Sequence, residues 1–321
     1  MRSVRTFLVI TLSFLLFHSA QAAYPDRPIK VIIGFPAGGS LDGHFRPLVD
    51  KLQSNLGQPI IIDFKSGAGG AVGAQFVAQS PADGYTLLLA NTGTMVINPA
   101  VYIKSPYDTI KDFQPIARTA QQPLALLVNN DVPAQTLKEF VTYAKEHPAK
   151  LNFGSSGNGG ISHLVPEMLK TETGIFMAHI PFKGSAPAFN DLMAGHIQFM
   201  AGSVPEAANY VKQGRMRALA VTSAKRNSAL PNTPTVLETG VANLEVVGFY
   251  GVLAPKGTPP EIVNRLSQAF KETLDSAEVQ KKMIDQGADP AYMNAEQFTK
   301  YLTAEMPRWA NAVKQAGAKL D

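Results

Sequence analysis

The chain contains no cysteine. That excludes disulfides, Cys-ligated zinc, iron–sulfur clusters, thiol nucleophiles and a lipid anchor on an N-terminal cysteine. It has a single tryptophan, and only 17% of its residues are charged. No Lys/Arg stripe with interleaved aromatics occurs, so nucleic acid is not expected as a partner. No His-x-x-x-His or His-Glu-x-x-His pair exists among His44, His147, His163, His179 and His196, so no metal is expected. No Gly-Lys-Ser/Thr follows a glycine run, which removes the phosphate P-loop. Repeats of 20–50 residues are absent, against a solenoid. Past the N-terminus no run reaches about 18 apolar residues, so the mature chain is not expected to insert in a membrane.

What remains is a chain of 321 residues, 45% of them hydrophobic. That suits two domains with real cores. Residues 1–5 carry Arg2 and Arg5, Thr6 to Phe17 is apolar, and Ala20-Gln21-Ala22 is a small-x-small site. Residues 1–22 therefore read as a secretory signal peptide cleaved near Ala22-Ala23, which sets the expected location in the periplasm. Without that leader, 27 basic residues face 25 acidic ones, a net charge of +2 rather than +4.

The rest alternates strands and helices. Strands are expected at 29–35, 59–64 and 85–90, with helices at 42–56 and up to about Gln79. Residues 116–129 read as two apolar pieces joined around Gln121-Gln122-Pro123, the first crossing between domains. A second unit follows, with strands at 151–153, 178–181, 197–201 and 217–222. Its helices are expected at 137–147, 162–173, 187–194 and 206–213. Val246–Ala254 reads as a return strand. Pro260–Leu274 opens a helical C-terminal part with one turn near 287–293, packed back on the first domain. Such alternation implies α/β architecture with mainly parallel sheets, whose ligand crevice lies at the carboxyl ends of the strands.

Five runs of small residues follow strands, at 36–42, 66–70, 91–94, 154–163 and 182–186. Backbone N–H groups in such loops at helix N-termini suit an anion without needing Arg or Lys. The first half contributes Pro36, Ala37, Gly38, Gly39 and Ser40, with Asp42 read as a helix cap or loop brace. It adds Ser66, Gly67, Ala68 and Gly69, then Asn91, Thr92, Gly93 and Thr94. The second half contributes Ser155, Ser156, Asn158, Gly159 and His163. Lys183, between Phe182 and Gly184, suits a solvated charge as well as a ligand contact. Ser162 reads as a helix N-cap. Phe249, Tyr250 and Trp309 read as packing.

Other readings stand beside an anion cleft. Gly67-Ala68-Gly69-Gly70-Ala71-Val72-Gly73 resembles a dinucleotide turn, but it does not follow the first strand, and the next strand ends in Asn91 rather than an acid. No cofactor is expected. A secreted serine-type hydrolase would use Ser155, Ser156 and His163. A receptor signalling to a sensor partner is a third reading.

Further motifs run along the mature chain, beginning with Tyr24-Pro25-Asp26-Arg27-Pro28-Ile29, Phe35-Pro36-Ala37-Gly38-Gly39-Ser40-Leu41-Asp42 and Asn91-Thr92-Gly93-Thr94 with Asn98-Pro99. Gly154-Ser155-Ser156-Gly157-Asn158-Gly159 and Pro181-Phe182-Lys183-Gly184-Ser185-Ala186-Pro187 follow. Arg217-Ala218-Leu219-Ala220-Val221-Thr222 and Gly251-Val252-Leu253-Ala254-Pro255-Lys256-Gly257-Thr258-Pro259 complete the set. In this order, across the mature chain, they resemble the Bug/TctC solute-binding receptors of tripartite tricarboxylate transporters.

The resemblance implies a type II periplasmic binding protein, a Venus flytrap of two lobes with two crossing strands as hinge, near 121–124 and 246–249. Lobe 1 would be 23–122 with 248–321, and lobe 2 would be 123–247. A small carboxylate would be held between them and passed to membrane permease subunits, without catalysis and with the receptor a monomer. Phe35, Gly202 and Ser203 join the expected site on this resemblance. The family commonly has Tyr at Phe182, Trp at Phe249 and Asp-Asn at Gly202-Ser203. The missing acid suggests a plain carboxylate ligand, aromatic acids among the candidates, and not an amino acid.

Overall fold

Short β-branched runs make the first strands. In β1 (Ile29–Ile33), Ile29, Val31, Ile32 and Ile33 are wholly buried, as expected of a strand covered on both faces. The structure, a computed structural model, describes residues 24–318 apart from 149, 286 and 287. The expected signal peptide lies outside the described residues. β1 pairs in parallel with β2 (Ile60–Phe64) and β3 (Thr86–Asn91). α1 (Ser40–Leu56) and α2 (Ala71–Ala78) follow the first two strands. Leu41, Phe45, Leu48 and Leu52 of α1 recur at helical spacing and are buried.

β4 (Phe113–Val128) is one strand of 16 residues. The two expected apolar pieces are continuous, because the proline between them sits where the neighbour changes. β4 is antiparallel to β9 (Val247–Pro255) from Phe113↔Pro255 to Pro123↔Val247. From Leu124↔Ser203 to Val128↔Phe199 its neighbour is β7 (Phe199–Ser203). Pro123, which has no N–H to give, ends one pairing before the other begins. β8 (Arg217–Val221) also pairs with this second half.

β5 (Asn152–Ser155) is parallel to β7 and to β6 (Ala178–Pro181). The order across the sheet is β2-β1-β3-β9-β4-β7-β5-β6. β4 thus belongs to both halves of an α/β molecule. The second half carries α4 (Leu137–Glu146), α5 (Ile161–Thr173), α6 (Ser185–Met193), α7 (Val204–Lys212) and the short α8 (Val236–Thr239). Here α3 is the short helix Asn98–Val101.

After β9 come α9 (Pro260–Leu274), α10 (Ala277–Asp285) and α11 (Ala295–Gln315). α9 lies against α1, with Arg265 donating to Asn55 O at 2.6 Å and Asn55 to Thr273 Oγ1 at 3.1 Å. The turn expected near 287–293 is instead strand β10 (Asp289–Met293), antiparallel to β4. Pro290 hid it, since proline is tolerated only at a sheet's edge or a bulge. The register does shift between Pro290 and Met293.

Candidate functional site

Three of the expected loops pack against each other on the β1–β3 side. After β2 the chain enters an unusual run: Gly67, Ala68, Gly69 and Gly70 have φ of 147°, 48°, 61° and 91°. Only glycine adopts such angles freely, and Ala68 is the one non-glycine among the described residues with positive φ. The carbonyls of this run are tied to the protein. Gly69 O accepts from Asn98 Nδ2 at 2.9 Å and Thr94 Oγ1 at 3.3 Å, and Ala68 O accepts from the Tyr102 hydroxyl at 2.9 Å. The N–H groups of Ser66, Gly67, Ala68 and Gly69 meet no acceptor among the described residues. Carbonyls held back and successive N–H groups left outward make an anion-binding concavity. Glycine is required at position 70, where a Cβ would lie 2.5 Å from Thr94 Oγ1 and 2.9 Å from Phe35 Cε2.

The run 91–94 is not a loop. Asn91 Oδ1 accepts the Thr94 N–H at 3.0 Å, and a π-helical turn, Gly93–Ile97, starts there and continues into α3. The side chain imitates a capping backbone group, so the helix begins at the strand's end. Thr92 and Thr94 are buried, and Thr92 Oγ1 accepts the Phe249 N–H at 2.8 Å.

Asp42 is a loop brace rather than a cap. Its Oδ2 accepts the Gly38 N–H at 2.8 Å, and its Oδ1 faces Arg46 Nε at 2.9 Å as an ion pair without hydrogen-bond geometry. Gly38 is therefore not a free anion donor, and Gly39 N–H points to Pro36 O. Pro36 and Ala37 are exposed.

The second-half loops are also more self-satisfied than expected. Ser162 is not an N-cap, because α5 starts one residue before it. Its Oγ accepts the Ser156 N–H at 3.0 Å and bonds Ser156 Oγ at 2.9 Å. Gly157 N–H goes to Ser155 Oγ, and Gly159 N–H to His163 Nδ1 at 3.1 Å. Phe182 and Gly184 donate their N–H groups to Ser155 O and Ser156 O. Asn158 and Lys183 remain exposed.

The hydrolase constellation does not assemble. Ser155 is fully buried and shares a 2.6 Å hydrogen bond with His179 Nε2, not with His163. The two imidazoles stack with centroids 3.8 Å apart. Burial, then the neighbouring His163, holds His179 down to about 4.

A pocket of about 190 Å³ opens between the two halves of the chain. One wall is Gly38, Gly39, Ser40, Gly43 and His44 of the first loop and α1, with Tyr250 and Ala288. The opposite wall is Pro205 and Glu206, from the first turn of α7. Glu206 takes hydrogen bonds from Ser185 Oγ at 2.8 Å and Ser203 Oγ at 3.0 Å. Burial pushes its carboxyl above the usual carboxylate range, and the two serines oppose that shift.

His44 and Tyr250 stack with centroids 4.5 Å apart. His44 Nδ1 and the Tyr250 hydroxyl are buried with no hydrogen-bond partner. Burial holds His44 near 3, so it is neutral.

Of the expected residues, Gly38, Gly39 and Ser40 border this pocket, while Ser203 supports it through Glu206. Gly202 does not face it, since a Cβ there would lie 2.7 Å from Phe189 Cζ. An acid at 202 has no room, and the carboxylate on this wall of the pocket is that of Glu206. His44, Glu206 and Tyr250 escaped the sequence reading. His44 borders the apolar face of α1 and reads as core. Glu206 reads as an ordinary acid in a first helical turn. Tyr250 is core as expected, yet it borders the pocket. Trp309 is packed at 1% exposure and donates to Glu305 Oε2 at 2.9 Å.

Residues 44–318 match the family described as "Tripartite tricarboxylate transporter family receptor". The chain is 35% identical over 298 residues to Protein BugT of Bordetella pertussis, covering 92% of this chain and 91% of the relative. Among solved structures, one described as a periplasmic transporter superposes with a TM-score of 0.86 at 38% identity, over 93% of this chain and 100% of that one. The R. palustris protein Rpa4515 with adipate gives 0.86 at 34%, over 92% and 100%. MatC from Rhodopseudomonas palustris with bound malate gives 0.81 at 30%, over 90% and 100%. With its two α/β halves joined through β4 and a pocket between them, the chain belongs to the Bug/TctC family of solute-binding receptors of tripartite tricarboxylate transporters.

Proposed function

We propose that this chain is a periplasmic receptor that captures a small carboxylate between its two lobes and delivers it to the permease subunits of a tripartite transporter. The 66–69 run carries this reading: four successive N–H groups without an acceptor, with the carbonyls beside them tied away. Two relatives of the same fold were solved with adipate and with malate, both carboxylates. Lobe 1 would hold 23–122 and 248–321, and lobe 2 would hold 123–247, with β4 and β9 as the hinge strands. No helix among the described residues is long and apolar enough to cross a membrane, which suits a receptor that reaches its permease by docking. Binding without turnover is the activity proposed.

Titration calorimetry of the purified protein with adipate, malate, succinate, aspartate, phenylalanine and their simple analogues tests this. At least one carboxylate should bind with unit stoichiometry and be recovered unchanged. Tyr102→Phe, which frees the Ala68 carbonyl, should weaken that binding about 2–10-fold, the worth of one hydrogen bond, with little change in melting temperature. Binding confined to uncharged analogues, or consumption of the acid, overturns the reading.

A further inference from the structure

The run after β5 reaches the first half of the chain. Gly159 is buried at φ 71° and stands against Val101, the last residue of α3. A Cβ at 159 would lie 2.8 Å and 2.9 Å from the two methyls of Val101, itself 1% exposed. The contact depends on where the backbone at 158–159 is held. Among the described residues a single hydrogen bond holds Asn158 and Gly159, the Gly159 N–H donating to His163 Nδ1 at 3.1 Å.

That bond fixes the state of the ring. Nδ1 must offer a lone pair, so the imidazole is neutral with its proton on Nε2. Burial holds His163 below its ordinary 6.5; Glu167 of the same helix opposes this, and Lys170, paired with Glu167 at 2.8 Å, reinforces it. From β6, His179 stacks on the ring with centroids 3.8 Å apart, so a charge on either is repelled by a charge on the other. β5 presents Phe153, and neither α3 nor the 156–160 run carries a charged group. A proton on His163 Nδ1 turns the acceptor into a donor facing another donor. His179 differs, because Ser155 Oγ can give its hydrogen to Gly157 O at 3.0 Å and still accept from a charged His179 Nε2 at 2.6 Å. We propose that His163 is the positioning residue for closure of the two halves. Its neutral ring holds Gly159 against Val101, and its protonation lets the halves part and release the ligand. His163 thus acts on the ligand through Gly159 rather than by touching it. The contact stands apart from the ligand's class, while its effect on binding rests on the carboxylate-receptor reading.

Small-angle scattering of the purified protein, alone and with adipate or malate, compares pH 7.5 with pH 5. A sample compact at pH 7.5 should expand at pH 5, with circular dichroism reporting an unchanged fold. His163→Asn puts a carbonyl oxygen where Nδ1 stands and takes up no proton, so it should stay compact at both values. Gly159→Ala should be expanded at both, because the added methyl has no room. Calorimetry with whichever acid binds should show affinity falling by up to about tenfold per pH unit below 6.5 in excess of the fall in His163→Asn. Protonation of the acid weakens both proteins alike, so the excess belongs to His163. An unaltered protein that stays compact at pH 5, or a His163→Asn variant that expands with it, overturns the role of His163. Compact Gly159→Ala, or expansion of every unaltered sample already at pH 7.5, overturns the Val101 contact and leaves the receptor reading to the calorimetry. Expansion on acidification of a protein that binds neither acid supports the role of His163 and counts against the carboxylate reading alone.

Discussion

His44 shows what enclosure does to a single titratable side chain. Its ordinary value of 6.5 falls to about 3 through burial. Above pH 6.5 the imidazole is neutral whether the chain is folded or not, and stability does not depend on it. Between 6.5 and about 3 the unfolded chain takes up a proton that the folded chain refuses, so stability falls as pH falls. The slope is at most about 1.4 kcal/mol per pH unit. His179, held down to about 4, acts in the same sense. Urea denaturation at a series of pH values should therefore show stability lost steadily below pH 6.5. His44→Gln should flatten that profile between pH 6.5 and 4, whatever it costs at pH 7. A slope identical to that of the unaltered protein would show that His44 is not a neutral buried group.

At the scale of elements, β7 and α6 explain why position 202 is a glycine. Phe189 of α6 fills the space that a side chain on Gly202 of β7 would need. Gly202→Asp should cost about 1–3 kcal/mol by overpacking, before any charge penalty. Phe189→Ala is itself costly, but it removes the obstacle. The double variant should be more stable than the sum of the two single changes predicts, by about 1 kcal/mol or more in a thermal-melt cycle. Additive losses would mean that the two residues do not compete for space.

The same comparison marks what the sequence could reveal. Buried parallel strands and amphipathic helices were legible, because apolar runs and 3–4 spacing carry them directly. β10 was not, because Pro290 disguises an edge strand. The helix at Gly93 was not, because a capping Asn91 resembles a loop residue. The glycine run at 66–70 was legible as a run of small residues after a strand, but its left-handed backbone was not. Of the pocket walls, Gly38, Gly39 and Ser40 were legible, while Tyr250 and His44 were not, because they carry the signature of core.

At the scale of the whole molecule, β4 passes through both halves, and Thr222 fastens the place where it crosses. Thr222 Oγ1 accepts the Leu124 N–H at 3.0 Å and donates to Val246 O at 2.6 Å. Two domains on a flexible tether melt separately, but two sheets sharing a strand cannot lose one and keep the other intact. Calorimetry should show one cooperative transition, with equal van't Hoff and calorimetric enthalpies. Thr222→Val leaves the Leu124 N–H without its acceptor and should move that single transition down by about 1–3 kcal/mol without splitting it. Two resolved transitions in the unaltered protein would contradict the shared strand.

The shared strand also fixes the order in which the chain can be finished during synthesis. β3 and the first half of β4 have β9 as their common neighbour, and β9 ends at Pro255. A ribosome has made about four-fifths of the 321 residues before that neighbour exists. Most chains complete their leading domain while the rest is still emerging. Here the first half of the chain keeps two open strand edges, on β3 and β4, until that point. Late completion of the first core postpones its cooperative closure, so the emerging chain stays easy to unravel until β9 is made.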